Sequence, residues 1–172
     1  MAWRVQISGE KLDLEALSKS FTDDDLRLVA EDDKYFLESK KFESASASDE
    51  VLKMAGDFLA VLSGVARLAY GARTPLTPDH VFRIRPDSGK DVFVHLTETL
   101  HVRAMLVGNV MVITSDGSKV TIETPDPARS WARVADNDET VSKALRLFGS
   151  DAKDWVGLYR LFEVIEQDIG GI

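Results

Sequence analysis

The chain has 172 residues, a formal net charge of −8, 44% hydrophobic and 29% charged residues, and no cysteine. This composition is that of one folded domain, or one domain with a small appendage; a chain of this length buries roughly 70% of its unfolded surface without needing staples. Disulfides, thiolate nucleophiles, iron–sulfur ligation and cysteine-rich zinc sites are excluded, and the acidic balance opposes non-specific nucleic-acid binding.

Trp3, Val5 and Ile7 alternate with Arg4, Gln6 and Ser8, the period of a half-buried strand. Met1 to Val5 lacks the apolar core of a signal peptide. From Leu12 the spacing changes: Leu14, Leu17 and Phe21 predict a short amphipathic helix. Leu26, Leu28 and Ala30 alternate again. Glu31-Asp32-Asp33-Lys34 reads as a hairpin loop, with Tyr35 to Phe42 as the returning strand.

The small-residue linker Ser44-Ala45-Ser46-Ala47-Ser48 precedes a long helix over 49–70. Ser46 or Ser48 is its expected cap, and Gly71 its stop. The helix is apolar nearly all round, so it is expected in the core. Its run Phe58 to Leu62 is far short of the roughly 20 residues a membrane span needs. The chain therefore reads as soluble and cytoplasmic.

Thr74-Pro75-Leu76-Thr77-Pro78-Asp79 reads as a rigid connector. The major strand block spans 80–123. It is divided by turn signals at Asp87-Ser88-Gly89-Lys90, Gly108-Asn109 and Asp116-Gly117, the last suiting a two-residue type I′ turn. Thr124-Pro125-Asp126-Pro127 ends the block. Two helices are predicted after it: 138–148, stopped by Gly149, and 151–169, capped by Ser150 and stopped by Gly170-Gly171. In the last helix Trp155, Leu158, Phe162, Ile165 and Ile169 form one stripe, and the opposite face carries charge.

The predicted fold class is α+β: a mostly antiparallel sheet packed on the long helix, with a C-terminal helix pair. The N-terminal strands join the sheet or form a smaller one. Residues 1–125 form the α+β domain, and 126–172 a helical cap or tail.

Candidate sites are few. His95-x-x-Glu98-x-x-His101 offers good ligands for zinc, iron or manganese, and Glu98-x-x-His101 matches the pairing used in di-iron helical bundles. That logic needs a helix. Val92, Val94, Leu96, Leu100 and Val102 alternate as in a strand, which would hold the histidines roughly 20 Å apart with Glu98 on the other face. Only a sharp bend at Thr97-Glu98-Thr99 would bring the three together.

Arg83, Arg85 and Arg103 form a second candidate, an anion site on one sheet face. The plainer alternative is a solvated strand face protected from edge pairing. Asp57, within the long helix, is either an acid or base in a pocket or a carboxylate at the helix edge facing water. The acidic clusters at 23–25, 31–33 and 136–139 lack the spacing of a calcium loop and read as turns and helix starts.

No serine elbow, phosphate loop or His-Glu-x-x-His helix occurs, and no cofactor is implied. Two functional readings lead, with nucleic-acid binding through Arg83, Arg85 and Arg103 as a third, disfavoured by the acidic charge. One is a non-enzymatic module binding a protein or small-molecule partner, with a homo-oligomer through the last helix as one form. The other is a metal-dependent enzyme using the His-x-x-Glu-x-x-His cluster.

Trp155, Leu158, Tyr159, Glu163, Ile165, Asp168, Gly170 and Gly171 resemble the corresponding segment of uncharacterised bacterial proteins. The resemblance covers about residues 150–171 and implies no activity. It implies that sequence continues past Ile172, making that residue a truncation point.

Overall fold

The fold was determined as a computed structural model, in which residues 2–23, 25–84, 90–94, 111–113, 119–121, 126–150 and 154–170 are described. Alternation in the N-terminal segment yields strand β1 (Ala2–Ser8), followed by helix α1 (Lys11–Ser20). Strands β2 (Leu26–Glu31) and β3 (Lys34–Ser39) form a hairpin in which Glu31 faces Lys34. The two turn residues, Asp32 and Asp33, both take positive φ, of 51° and 59°. A two-residue hairpin turn requires this backbone, and aspartate tolerates it better than most residues.

The returning strand is shorter than the pattern to Phe42 predicts. The Ser39 hydroxyl donates to the Asp25 carbonyl at 2.7 Å and accepts from the Lys41 amide at 3.2 Å. This caps a 3-10 turn over Lys40–Ser44 and buries Phe42 beneath the long helix.

That helix, α2 (Ser48–Tyr70), starts differently from the serine-capped end expected. Ala47 occupies the cap position without a side-chain bond. Glu50 instead reaches back, its carboxylate accepting from the Ser46 amide at 2.8 Å and the Ser46 hydroxyl at 3.2 Å. These bonds favour the ionised form and hold the Glu50 pKa below its ordinary value, the backbone amide contributing most. Gly71 ends the helix with φ 66°.

Strand β4 (Thr77–Ile84) begins three residues before the block expected from His80, so Thr77, Pro78 and Asp79 belong to the sheet rather than to the connector. With β5 (Lys90–Val94) it joins the N-terminal strands in a five-stranded antiparallel sheet of order β2-β3-β1-β4-β5. Strands β6 (Met111–Ile113) and β7 (Lys119–Thr121) pair with each other in a separate sheet. Ile113 faces Lys119, whereas a two-residue turn centred on Asp116-Gly117 would set Ile113 opposite Val120. The turn residues themselves, like those at 85–89 and 108–109, lie outside the described residues.

Val5, Leu37 and Val81 form the buried face of the larger sheet, packed with Val51, Ala55, Leu59, Leu62 and Val65 of α2 in one core. On the basis of about 25 cal/mol per Å² of apolar surface, each such Val or Leu side chain contributes about 1.5–3 kcal/mol of burial free energy. The result is the α+β architecture that the pattern of periods predicts. No helix among the described residues is long and apolar enough to cross a membrane.

Among the described residues three helices follow, one more than the sequence pattern suggests. Helix α3 (Pro127–Asn137) occupies the stretch between the end of the strand block and residue 138, where the sequence pattern placed no element. Asp126 accepts from the Ala128 amide at 3.0 Å and Pro127 fills the first turn, a helix-start signature that resembles a loop when read as Pro-Asp-Pro. Helix α4 (Glu139–Ser150) is capped by Asp138 and runs through Gly149, the residue expected to stop it. Gly149 is instead a contact. A Cβ there would lie 2.6 Å from the Gly64 amide nitrogen, and one on Gly64 would lie 2.1 Å from the Leu145 carbonyl oxygen. The backbones of α2 and α4 therefore touch at a glycine pair. Arg67 tightens the crossing by donating to the Phe148 carbonyl at 2.7 Å. Ala128, Ala135 and Leu145 of α3 and α4 complete the same core as the sheet.

Helix α5 (Trp155–Asp168) starts later than the expected residue 151, and its cap is Asp154, not Ser150. Asp154 accepts from the Gly157 amide at 2.8 Å, while the Ser150 hydroxyl is turned back to the Arg146 carbonyl within α4.

Candidate functional surfaces

Of the six residues of the metal and anion candidates, only Arg83 is described. Arg85, Arg103, His95, Glu98 and His101 lie outside the described residues. Arg83 pairs across strands with Trp3 on one side and Asp91 on the other. Its guanidinium lies 5.2 Å from the Trp3 ring centroid, and Trp3 also meets Phe93 at 6.1 Å. Arg83 thus shares a strand face with buried Val81; it is stacked on an aromatic side chain. Asp57 is exposed on α2, at the helix edge. Among the described residues, no group of three or more histidine, aspartate or glutamate side chains is placed to hold a metal ion.

The sheet register reveals a feature the sequence reading missed. Val5 faces Val81 while Ile7 faces Pro78, so Asp79 and His80 together oppose Gln6. This is a β-bulge, a device that re-aims side chains and is over-represented beside active sites. The Gln6 side-chain amide donates to Asp79 Oδ2 at 2.9 Å, and Asp79 Oδ1 lies 2.5 Å from His80 Nδ1. The imidazole stacks at 6.5 Å and 29° on Phe82, which meets Phe36 edge-on at 5.6 Å. The face continues through Arg4, whose guanidinium lies 4.3 Å from the Phe36 ring centroid and pairs with Glu31 and Glu38. The one sequence signal for the bulge was a proline inside a strand-like pattern.

A cleft of about 780 Å³ opens between α2, α3, α4 and the 3-10 turn. Met54, Phe58 and Val61 form its apolar floor, and Asp57, Arg133 and Arg146 stand at its wall. Lys41 crosses one end, paired with Asp136 at 3.0 Å and 5.3 Å from the Phe58 ring centroid. Beside the cleft, the hydroxyls of Ser20 and Tyr70 are 2.7 Å apart, and Tyr70 donates to the Asp126 carboxylate at 3.4 Å. Burial, the largest influence, raises the Tyr70 pKa; Asp126 adds to this, and the Ser20 bond works against it.

The most unusual surface is on α5. Gly157 and Val164, seven residues apart, are buried, with Leu161 half-buried between them. This is the side that packs on α4. The stripe identified by its spacing turns away from it: Trp155 is 87% exposed, Phe162 52% and Ile169 62%, with Leu158 and Ile165 also open. Val156 and Tyr159 widen the same surface. Large apolar side chains gathered in the open on one helix are uncommon on a soluble monomer.

The chain matches no protein-family model, no curated protein and no solved structure among those compared.

Proposed function

We propose that the chain is a soluble, cytoplasmic, non-enzymatic binding module that engages a protein partner through α5. The observation that supports this reading is the open apolar stripe. An amphipathic helix that buries Gly157 and Val164 while exposing Trp155, Phe162 and Ile169 turns its largest hydrophobic side chains outward among the described residues. The side chains on it, aromatic and branched aliphatic, are those that anchor protein interfaces.

The test separates a face for a partner from a face needed for folding. In a Phe162→Ser/Ile165→Ser variant the melting temperature should stay within about 2 °C of the parent, because exposed side chains contribute little to stability. Binding of an apolar dye should fall at the same time. A melting point lowered by tens of degrees would assign the stripe to the chain's own fold and end the proposal.

A second reading, carried by the ligand chemistry of the sequence, is a metal-dependent enzyme using His95, Glu98 and His101. Elemental analysis of protein purified without added metal tests it: stoichiometric zinc, iron or manganese that disappears in a His101→Ala variant is the expected result, and metal-free protein with no thermal shift on metal addition is the contrary one.

A further inference from the structure

We propose that the cleft between α2, α3, α4 and the 3-10 turn binds a small amphipathic carboxylate, its apolar body on Met54, Phe58 and Val61 and its head group on Arg133 and Arg146. The site is separate from α5 and does not depend on the reading of that helix.

The cleft has the size and the polarity of a small-molecule site. Its volume of about 780 Å³ falls within the roughly 300–1,000 Å³ of pockets that take such ligands. Met54, Phe58 and Val61 follow one another at steps of four and three, so one face of α2 supplies the floor. These three side chains are half-buried, while Arg133 of α3 and Arg146 of α4 are exposed at the rim. A ligand that fits this gradient has an apolar body and a charged end.

The sign of that end follows from which lining charges are already engaged. Arg129 is paired with Asp23, and Lys41 with Asp136 at 3.0 Å. Asp25 is held by Lys40 at 3.2 Å. Asp138 accepts from the Thr140 and Val141 amides. Glu139 sits in the first turn of α4, where the positive end of the helix offsets a carboxylate. Arg133, Arg146 and Asp57 are left. Among the described residues their side chains have no hydrogen-bond or ion-pair partner.

Two guanidinium groups against one carboxylate leave the rim locally positive, in a chain whose net charge is −8. A monoanion matches this excess. A dianionic phosphate would set a second negative charge in the cleft that Asp57 lines. Guanidinium groups take a carboxylate through paired, charge-assisted hydrogen bonds. Asp57 then opposes the head group as a like charge, which gives the proposal a gain-of-affinity test.

Octanoate titrated into the isotope-labelled full chain, followed by amide NMR shifts, provides that test. Saturable shifts are expected around Met54 to Val61 and along the cleft sides of α3 and α4. The uncharged 1-octanol should bind at least ~10-fold more weakly, the difference that charge-assisted bonds make. Arg133→Gln/Arg146→Gln should reduce octanoate to the level of octanol. Both arginines are exposed, so this variant should fold with an unchanged melting temperature. Asp57→Asn should tighten octanoate by removing the like charge.

Equal affinity for octanoate and octanol would overturn the proposal, as would octanoate binding unchanged in the double arginine variant. Octylammonium binding more tightly than octanoate, or Asp57→Asn weakening octanoate, would show that the cleft selects a cation. Shifts confined to α5, or no saturable shift in the millimolar range, would show that the cleft holds no such ligand. Phe162→Ser/Ile165→Ser alters the α5 stripe and not the cleft, so octanoate should bind that variant as it binds the parent. The α5 reading and this one therefore fail separately.

Discussion

Helices α4 and α5 are neighbours of similar length, and both carry an apolar stripe, yet the protein uses them in opposite ways. Helix α4 is drawn so close to α2 that Gly64 and Gly149 leave no room for a Cβ, and Leu145 is buried in the contact. Helix α5 rests on α4 through Gly157 and Val164 and turns its largest side chains outward. Amphipathic spacing establishes that a helix has an apolar face; it does not say what that face meets. Small residues carry that information here: the glycine that admits another backbone marks the buried contact, and the large stripe marks the open one.

The largest expected effect lies at the α2–α4 crossing. Gly64→Val should cost about 3 kcal/mol or more, because the new side chain meets backbone of α4 that cannot move aside as a flexible side chain would. Gly56, in the same helix, has nothing within 4 Å of a built Cβ. Gly56→Ala should therefore stabilise by about 0.5–1 kcal/mol through backbone entropy. Denaturant titration of the pair checks both, and equal effects would show that the glycine contact does not hold α4 in place. Next in size, Leu145→Ala should cost about 2–5 kcal/mol as a core truncation. Removing the α5 cap by Asp154→Ala should cost only about 1 kcal/mol and should loosen α5 before the rest. Hydrogen exchange would resolve that order: protection lost in α5 alone is expected, and simultaneous loss in α2 would contradict it.

The same contrast explains how much the sequence disclosed. Period-two alternation found β1, β2 and β3, and the long apolar pattern located α2 to within a residue at its start. Those elements are specified by burial, which is written into side-chain type. Errors fell where a residue has two structural uses. Gly149 has the appearance of a helix stop but serves as a contact. Asp126-Pro127 has the appearance of a turn but opens α3. Ser48 has the appearance of a cap, but Glu50 supplies the bonds. The Gln6–Asp79–His80 chain was invisible because it depends on which two strand residues oppose one across a sheet, a property of pairing and not of either segment. Arg83 was legible as a strand residue, yet its contact with Trp3 required knowing which strand lies beside it.

The smallest expected effect concerns pH and the start of α2. Glu50 lies on the surface, and its pKa is lowered in the folded protein by the Ser46 amide first and the Ser46 hydroxyl second. A carboxylate with a depressed folded pKa contributes stability that is fully present above its unfolded value and fades as pH falls through the folded one. The contribution is therefore intact at neutral pH and disappears in the acid range below the ordinary glutamate value. Glu50→Gln should lower the melting temperature slightly at pH 7, and the deficit should shrink as pH falls into the acid range. A Glu50→Gln deficit that grows towards low pH would show that the carboxylate does not act by capping α2, since protonation removes the charge this role requires.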